Sequence, residues 1–415
     1  MKETLNWQLS KAITFLKWAV FSVLIGFVVG LTGVAFHYAI FYAGGTLKTY
    51  PALLYLLPVA GLLIVFLYRV CGVPQDRGTN LVLDAVRDNK ALPLRTAPLI
   101  FISSALTHLF GGSAGREGAA LQLGGSISAA IGHWMHLDEK DSRIITMCGM
   151  AAAFSALFGT PLAAAIFAME VVSVGVMYYA AIVPCMASAL LAHQVAIWCK
   201  VPQEGYVLRG APEFGLLPMV QVAIMGVLCA LLAIVFCKLL HEVPKLAGRY
   251  VKNPYLRVLI GGLVVVLLTL IVGTRDYNGA GSAIIVQAVA GQAVPYAFLL
   301  KMLFTAVTLG VGYKGGEIVP VLFVGSTFGC TAAPLLGLSP SFGAGLGMMA
   351  LFCGMTNCPM TTILLAFELF GGESLPLMGL CIAVSYMLSG YTGLYSAQKI
   401  LYSKFKPEFI NKNAD

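Results

Sequence analysis

Gly111-Gly-Ser-Ala-Gly-Arg-Glu-Gly-Ala-Ala-Leu-Gln-Leu-Gly-Gly-Ser126 is the stretch whose reading decides the fold. It sets one acid, Glu117, in a glycine-rich break between two apolar segments, and Tyr313–Ser326 repeats the arrangement with Glu317. An ionisable side chain at membrane depth costs on the order of 3 kcal/mol, so its presence asks for a role. That the surroundings are membrane follows from composition. Of the 415 residues, 59% are hydrophobic and 11% charged, against about 25% charged in soluble domains. The chain therefore reads as an all-α polytopic membrane protein.

The apolar segments fall in two sets. The first runs through 18–43, 51–71, 97–112, 116–132, 143–158, 160–174 and 177–199; the second through 215–240, 256–273, 278–292, 295–311, 316–336, 342–355, 359–370 and 375–393. Several are shorter than the roughly 20 residues a helix needs to span a bilayer. Broken and re-entrant helices are the expected result, since irregular backbone at that depth is tolerated where it lines a cavity. Gly26, Gly30 and Gly33 offer a small-residue face for close helix packing. The expected organisation is an N-terminal cytoplasmic segment (1–17), a first membrane half (18–200), a linker (201–214), a second half (215–405) and a cytoplasmic tail (406–415), together forming one transport domain.

The halves repeat. Gly115-Arg-Glu117 and Gly125-Ser126 match Gly315-Gly-Glu317 and Gly325-Ser326 at a constant offset of 200, Cys148-Gly-Met150 recurs as Cys353-Gly-Met355, and the nine-residue spacing of Pro161 and Glu170 recurs in Pro359 and Glu368. Three matches in one order indicate internal duplication. Transporter halves of this kind are often inverted in the membrane and hold their substrate at the interface near the midplane. On that reading Glu117 and Glu317 converge. Each glycine-rich break also presents backbone N–H groups at a helix start, where orphan donors and the helix dipole favour an anion. An anion and a carboxylate would then compete for one donor set, and protonating the carboxylate would release it. The plainer alternative is that the glycines serve packing and each Glu caps its own helix.

The net charge of +8 lies in short loops and at the chain ends, not in the aromatic-interleaved stripe of a nucleic-acid binder. Lys2, Lys11 and Lys17, the group Lys238, Lys245, Arg249, Lys252 and Arg257, and the tail lysines Lys399, Lys404 and Lys406 place both termini in the cytoplasm under the positive-inside rule. The ten cysteines contain no Cys-x-x-Cys pair, and His133 and His136 lie in a polar loop with acids; neither group is read as a metal site, and no cofactor is expected. The convergent His/Asp or Cys/His groups a membrane enzyme needs are absent from the sequence, so the chain is not read as an enzyme. Glu170 and Glu368 read as structural, each hydrogen-bonded near a helix end.

These residues carry a family resemblance. Gly115-Arg116-Glu117-Gly118 resembles the Gly-Arg-Glu-Gly-Pro motif of the CLC family of chloride channels and anion/proton antiporters, Gly315-Gly-Glu-Ile-Val-Pro320 resembles its Gly-Gly-x-Phe-x-Pro motif, and Leu394-Tyr395-Ser396 is similar to the segment with its pore tyrosine. The resemblance implies inverted-repeat halves, a homodimer with a pore in each subunit, and a multi-pass protein of the bacterial inner membrane. It also implies a gating and proton-carrying role for Glu117, Tyr395 at the inner end of the ion path, and an anion held by Gly115, Arg116, Gly118, Ile318 and Val319. Gly78-Thr79-Asn80-Leu81-Val82 stands where most members have Gly-Ser-Gly-Ile-Pro, although Arg77-Gly78 offers a second register. Ala119 replaces the motif proline, Val171 follows Glu170 where exchangers carry a second acid, and Glu317 occupies a normally aliphatic position. These departures resemble the bacterial fluoride/proton antiporter branch. Fluoride is the strongest acceptor among the halides and needs good donors in place of its water; Thr79 and Asn80 can supply them, or can be ordinary helix caps. The expected function is export of fluoride in exchange for protons, with Glu317 relaying protons or tuning the anion. A chloride/proton antiporter or passive chloride channel is the alternative, and the regulatory cytoplasmic modules of some members are not expected.

Overall fold

The computed structural model describes residues 2–73, 76–88 and 90–414; Met1 and Asp415, the outer ends of the expected terminal segments, lie outside the described residues. In hydrocarbon every backbone N–H and C=O must be satisfied within its own segment, which selects helices. The described residues form two sets of eight. The first comprises α1 (Lys2–Thr49), α2 (Leu57–Val70), α3 (Thr79–Asp88), α4 (Thr96–Leu109), α5 (Glu117–Trp134), α6 (Glu139–Phe158), α7 (Pro161–Glu170) and α8 (Ile182–Trp198). The second comprises α9 (Leu216–Tyr250), α10 (Pro254–Val272), α11 (Ser282–Val289), α12 (Ala297–Val311), α13 (Ile318–Ala332), α14 (Pro340–Thr356), α15 (Pro359–Phe370) and α16 (Leu375–Leu388). Six helical stretches are long and apolar enough to cross a membrane. Others stop short, α7 after 10 residues and α15 after 12.

The duplication read from motifs reappears in the packing. As α5 packs on α6, so α13 packs on α14; α6 meets α8 as α14 meets α16, and α1 meets α8 as α9 meets α16. The α5–α6 and α13–α14 crossings are backbone to backbone. A Cβ on Gly124 would lie 2.2 Å from the Gly149 carbonyl oxygen, and one on Gly329 2.0 Å from that of Gly343, so both crossings exclude any side chain. Gly26 and Gly30 bring α1 against Ser188 and Ala192 on α8 less tightly, a Cβ there standing 2.9 Å from Ser188 O and 3.1 Å from Ala192 Cα.

Two features were not expected. The helix α3 falls outside the apolar segments because Asp84, Arg87 and Asp88 break its hydropathy, and the structure pairs these charges with one another and with Arg77 and Lys90. The second lies at the end of the chain, in a fold expected to be all-α. Ser173–Val174 (β1), Lys399–Tyr402 (β2) and Phe409–Asn413 (β3) form a small sheet, parallel between β1 and β2 and antiparallel between β2 and β3. Lys404, one of the tail lysines, turns inward and donates to Asn357 Oδ1 at 2.5 Å, Tyr386 O at 3.0 Å and Ser389 Oγ at 3.1 Å.

Candidate anion and proton site

The two glycine-rich breaks meet directly. Gly115 N donates to Gly316 O at 2.6 Å and Gly316 N donates to Gly115 O at 2.7 Å, an exchange that a local two-fold produces. Only glycine fits the joint: a Cβ on Gly315 would stand 2.4 Å from that of Ala114, and one on Gly316 2.5 Å from Gly118 N. The turn before α5 is held by the other half, with Ser113 N donating to Thr308 Oγ1 at 3.1 Å and Asn278 Nδ2 to Gly111 O at 2.6 Å.

Two helices start from this joint. The first turn of α5 closes with Ala120 N on Arg116 O, and that of α13 with Val321 N on Glu317 O. Glu117, Gly118 and Ala119, and opposite them Ile318 and Val319, are thereby left without intrahelical acceptors for their N–H groups. The run of free donors is shorter than expected from Ser113–Gly118. Ser113 N and Gly115 N are already engaged, and Arg116 N donates to Glu117 Oε2 at 3.1 Å.

Glu117 is fully buried, and its Oε1 accepts from Arg116 Nε at 3.0 Å. The guanidinium of Arg116 is itself engaged on every side, by His37 Nδ1 at 2.7 Å, Leu157 O at 3.3 Å and Glu204 Oε1 at 3.2 Å. Its side chain thus sets the local charge while its main chain lies at the joint. The Glu317 carboxylate comes over the start of α5, where a methyl group on Gly118 would meet Oε2 at 2.8 Å. Glu317 Oε2 is buried without a hydrogen-bond partner. The two acids therefore converge on one glycine joint, with one carboxylate engaged and one oxygen of the other unengaged.

Thr79 and Asn80 begin α3 beneath the joint. Thr79 Oγ1 donates to Gly118 O at 3.2 Å, joining α3 to α5. Asn80 Oδ1 accepts from Ala397 N at 2.8 Å, which leaves its amide N–H groups as donors. Neither caps its own helix; Asp76 Oδ1 instead accepts from Gly78 N at 3.2 Å. Tyr395 is 1% exposed and its hydroxyl has no hydrogen-bond partner. It is therefore an interior residue of the protein. Of the two histidines expected in a polar loop, His133 instead lies in the last turn of α5 and only His136 lies beyond it; both are exposed.

Several contributors carry no motif. Asp76, with its side chain fully buried, accepts from Lys314 Nζ at 2.9 Å through Oδ2 and from Gln122 Nε2 at 2.6 Å through Oδ1. One carboxylate so binds the loop before α3, the helix of Glu117 and the segment leading to Glu317. His37 and Glu204, the partners of Arg116, are lone residues on α1 and in the linker. No spacing in the sequence connects any of them, because each contact spans tens to hundreds of residues.

A duplicated helical membrane fold that joins two helix N-termini around paired acids defines an anion-handling transport protein of inverted-repeat type. The chain matches the family described as Voltage gated chloride channel over residues 60–390, and it belongs to that family. It is 37% identical to a protein of Pseudomonas syringae pv. tomato named Chloride/fluoride channel protein, over 94% of this chain and 87% of the relative. It is 24% identical to the H(+)/Cl(-) exchange transporter ClcA of Vibrio parahaemolyticus, over 94% and 91%. Among solved structures, a CLC-type fluoride/proton antiporter superposes with a TM-score of 0.89 at 30% identity, covering 92% of this chain and 98% of the other. A slow cyanobacterial Cl-/H+ antiporter at 19% identity, with a TM-score of 0.76 and 90% and 94% coverage, shares the fold.

Proposed function

We propose that this protein exports fluoride from the cytoplasm in exchange for protons. The observation that carries the reading is Glu317, an acid whose unpartnered Oε2 lies against Gly118 at the start of the Glu117 helix. Two carboxylates at one set of N–H donors form a site where charge is set by protonation. When Glu117 is ionised it holds Arg116 N and Nε; protonation weakens both bonds and frees the carboxyl to leave the joint. An anion can then take the N–H groups of Glu117, Gly118, Ile318 and Val319, with Asn80 Nδ2 and the Tyr395 hydroxyl as further donors on its way to the cytoplasmic side; the Thr79 hydroxyl is already engaged on Gly118 O. Fluoride suits this lining because it gains most from strong N–H and O–H donors in a dry site. Glu317 is the second proton-bearing group, its carboxylate lying against the start of the Glu117 helix.

The proposed setting is the bacterial inner membrane, with both termini cytoplasmic and a homodimer in which each subunit has its own pore. The family membership and the name of the P. syringae relative support the anion, and the fluoride/proton antiporter of 30% identity supports the coupling. The deciding experiment records fluoride, chloride and pH together as anions leave liposomes containing the purified protein. Fluoride efflux with stoichiometric proton uptake and near-background chloride is the expected result. Fast chloride efflux moves the function to chloride/proton exchange, and fluoride efflux without proton movement moves it to a passive channel.

A further inference from the structure

Away from the joint, a cavity of about 580 Å3 lies between α2, α10 and the end of α12. Ile64, Leu309 and Val311 give it an apolar wall, while Arg69, Arg257, Lys314 and Asp76 line its polar part. Lys314 and Asp76 neutralise each other at 2.9 Å. The arginines have no such partner. Arg257 uses its Nε on Val311 O at 3.3 Å, and neither Arg69 nor Arg257 forms an ion pair among the described residues.

The place of the arginines in the fold says what such a cavity meets. Arg69 is in the last turn of α2 and Arg257 in the first turn of α10, at the ends of the stretches Pro51–Val70 and Pro254–Val272, both long and apolar enough to span. Outside the cavity the same helices expose Leu63, Phe66, Leu263 and Leu267, the surface a helix turns to acyl chains. Tyr255, partly exposed at the start of α10, completes the polar end, in keeping with the aromatic belt of a membrane interface. Two uncompensated cations at the ends of spanning helices, above an apolar slot, match an anion that carries a hydrocarbon tail.

We propose that this cavity seats an anionic phospholipid, with its phosphate between Arg69 and Arg257 and an acyl chain along Ile64, Leu309 and Val311. The inference goes beyond the transport reading and holds whichever anion is moved. Lys314 gives the seat a bearing on transport, because it lines the cavity, pairs with Asp76 and precedes Glu317 by three residues.

The test is native mass spectrometry of the full chain in nonionic detergent with equimolar phosphatidylglycerol and phosphatidylcholine of matched chains. Wild type should retain phosphatidylglycerol about tenfold over phosphatidylcholine. The Arg69→Gln/Arg257→Gln variant should bring the ratio near one, while Arg249→Gln, a basic change outside the cavity, should leave it intact. If the double variant does not fold, Arg69→Gln alone, at an exposed helix end, must still lower the ratio. Equal retention of both lipids by wild type, or an unchanged ratio in the arginine variants, overturns the proposal. Displacement of bound lipid by inorganic phosphate, together with thermal protection by phosphate in its absence, assigns the arginines to a free phosphate and overturns the lipid seat.

Discussion

Glu117 is bonded to its own neighbour, Arg116, through both carboxylate oxygens, so its release depends on its charge. In the proposed cycle Glu117→Gln keeps the shape but can no longer exchange a proton. Parallel anion and pH recordings on liposomes should show proton coupling abolished with some anion movement retained; full coupling in this variant removes the mechanism. Glu317 differs in having a buried oxygen with no donor. Such an atom is costly unless something intermittent satisfies it, such as a proton, a water or an ion. Glu317→Ala should reduce fluoride throughput by at least about tenfold, more than Val171→Ala does; equal small effects would make Glu317 structural.

At the scale of helices, α7 and α15 cap each other. Glu368, near the end of α15, accepts from Leu162 N and Ala163 N at 2.9 Å each, and Glu170, the last residue of α7, accepts from Met360 N at 3.1 Å, Thr361 N at 2.8 Å and Thr361 Oγ1 at 2.6 Å. Each carboxylate satisfies the orphan donors of the opposite helix and sits on the positive end of its dipole. The structural role read from the Pro161/Glu170 and Pro359/Glu368 spacing gains its mechanism here, with the caps exchanged between halves and not made locally. Glu170→Ala and Glu368→Ala should each destabilise the protein by about 1–3 kcal/mol per buried donor left unpaired, seen as a lower melting temperature in detergent. The proton-to-anion ratio of the folded fraction should stay unchanged in both; a changed ratio in Glu170→Ala would place that acid on the proton route.

Across the whole molecule, many hydrogen bonds join the halves, and among the described residues Asp76–Lys314 is the ion pair between them, set three residues before Thr79 and three before Glu317. Removing one partner of a buried pair strands the other charge and costs about 3–5 kcal/mol, whereas removing both is far milder. Asp76→Asn and Lys314→Met should therefore each lower thermal stability strongly, with the double variant recovering much of the loss. Additive losses in that double-mutant cycle would show that the two groups do not depend on each other. Little of this cross-half wiring was legible beforehand, since Asp76 and Lys314 are 238 residues apart and belong to no repeat.

The sequence by itself determined the membrane setting, the duplicated halves and the two glycine breaks, because apolar run length, motif repetition and the need for glycine at close approach are local properties of the chain. It also marked Glu117, Glu317, Thr79, Asn80 and Tyr395 as candidates. It did not disclose α3, whose charges hide it from hydropathy, or the sheet that folds the tail back onto the end of α7. Only the tertiary structure decided that the breaks join as Gly115 against Gly316, that Glu317 lies over Gly118, and that Arg116 is held by His37 and Glu204. Those contacts arise where separate helix ends are brought together by packing, and side-chain geometry across such a joint has no counterpart in linear spacing.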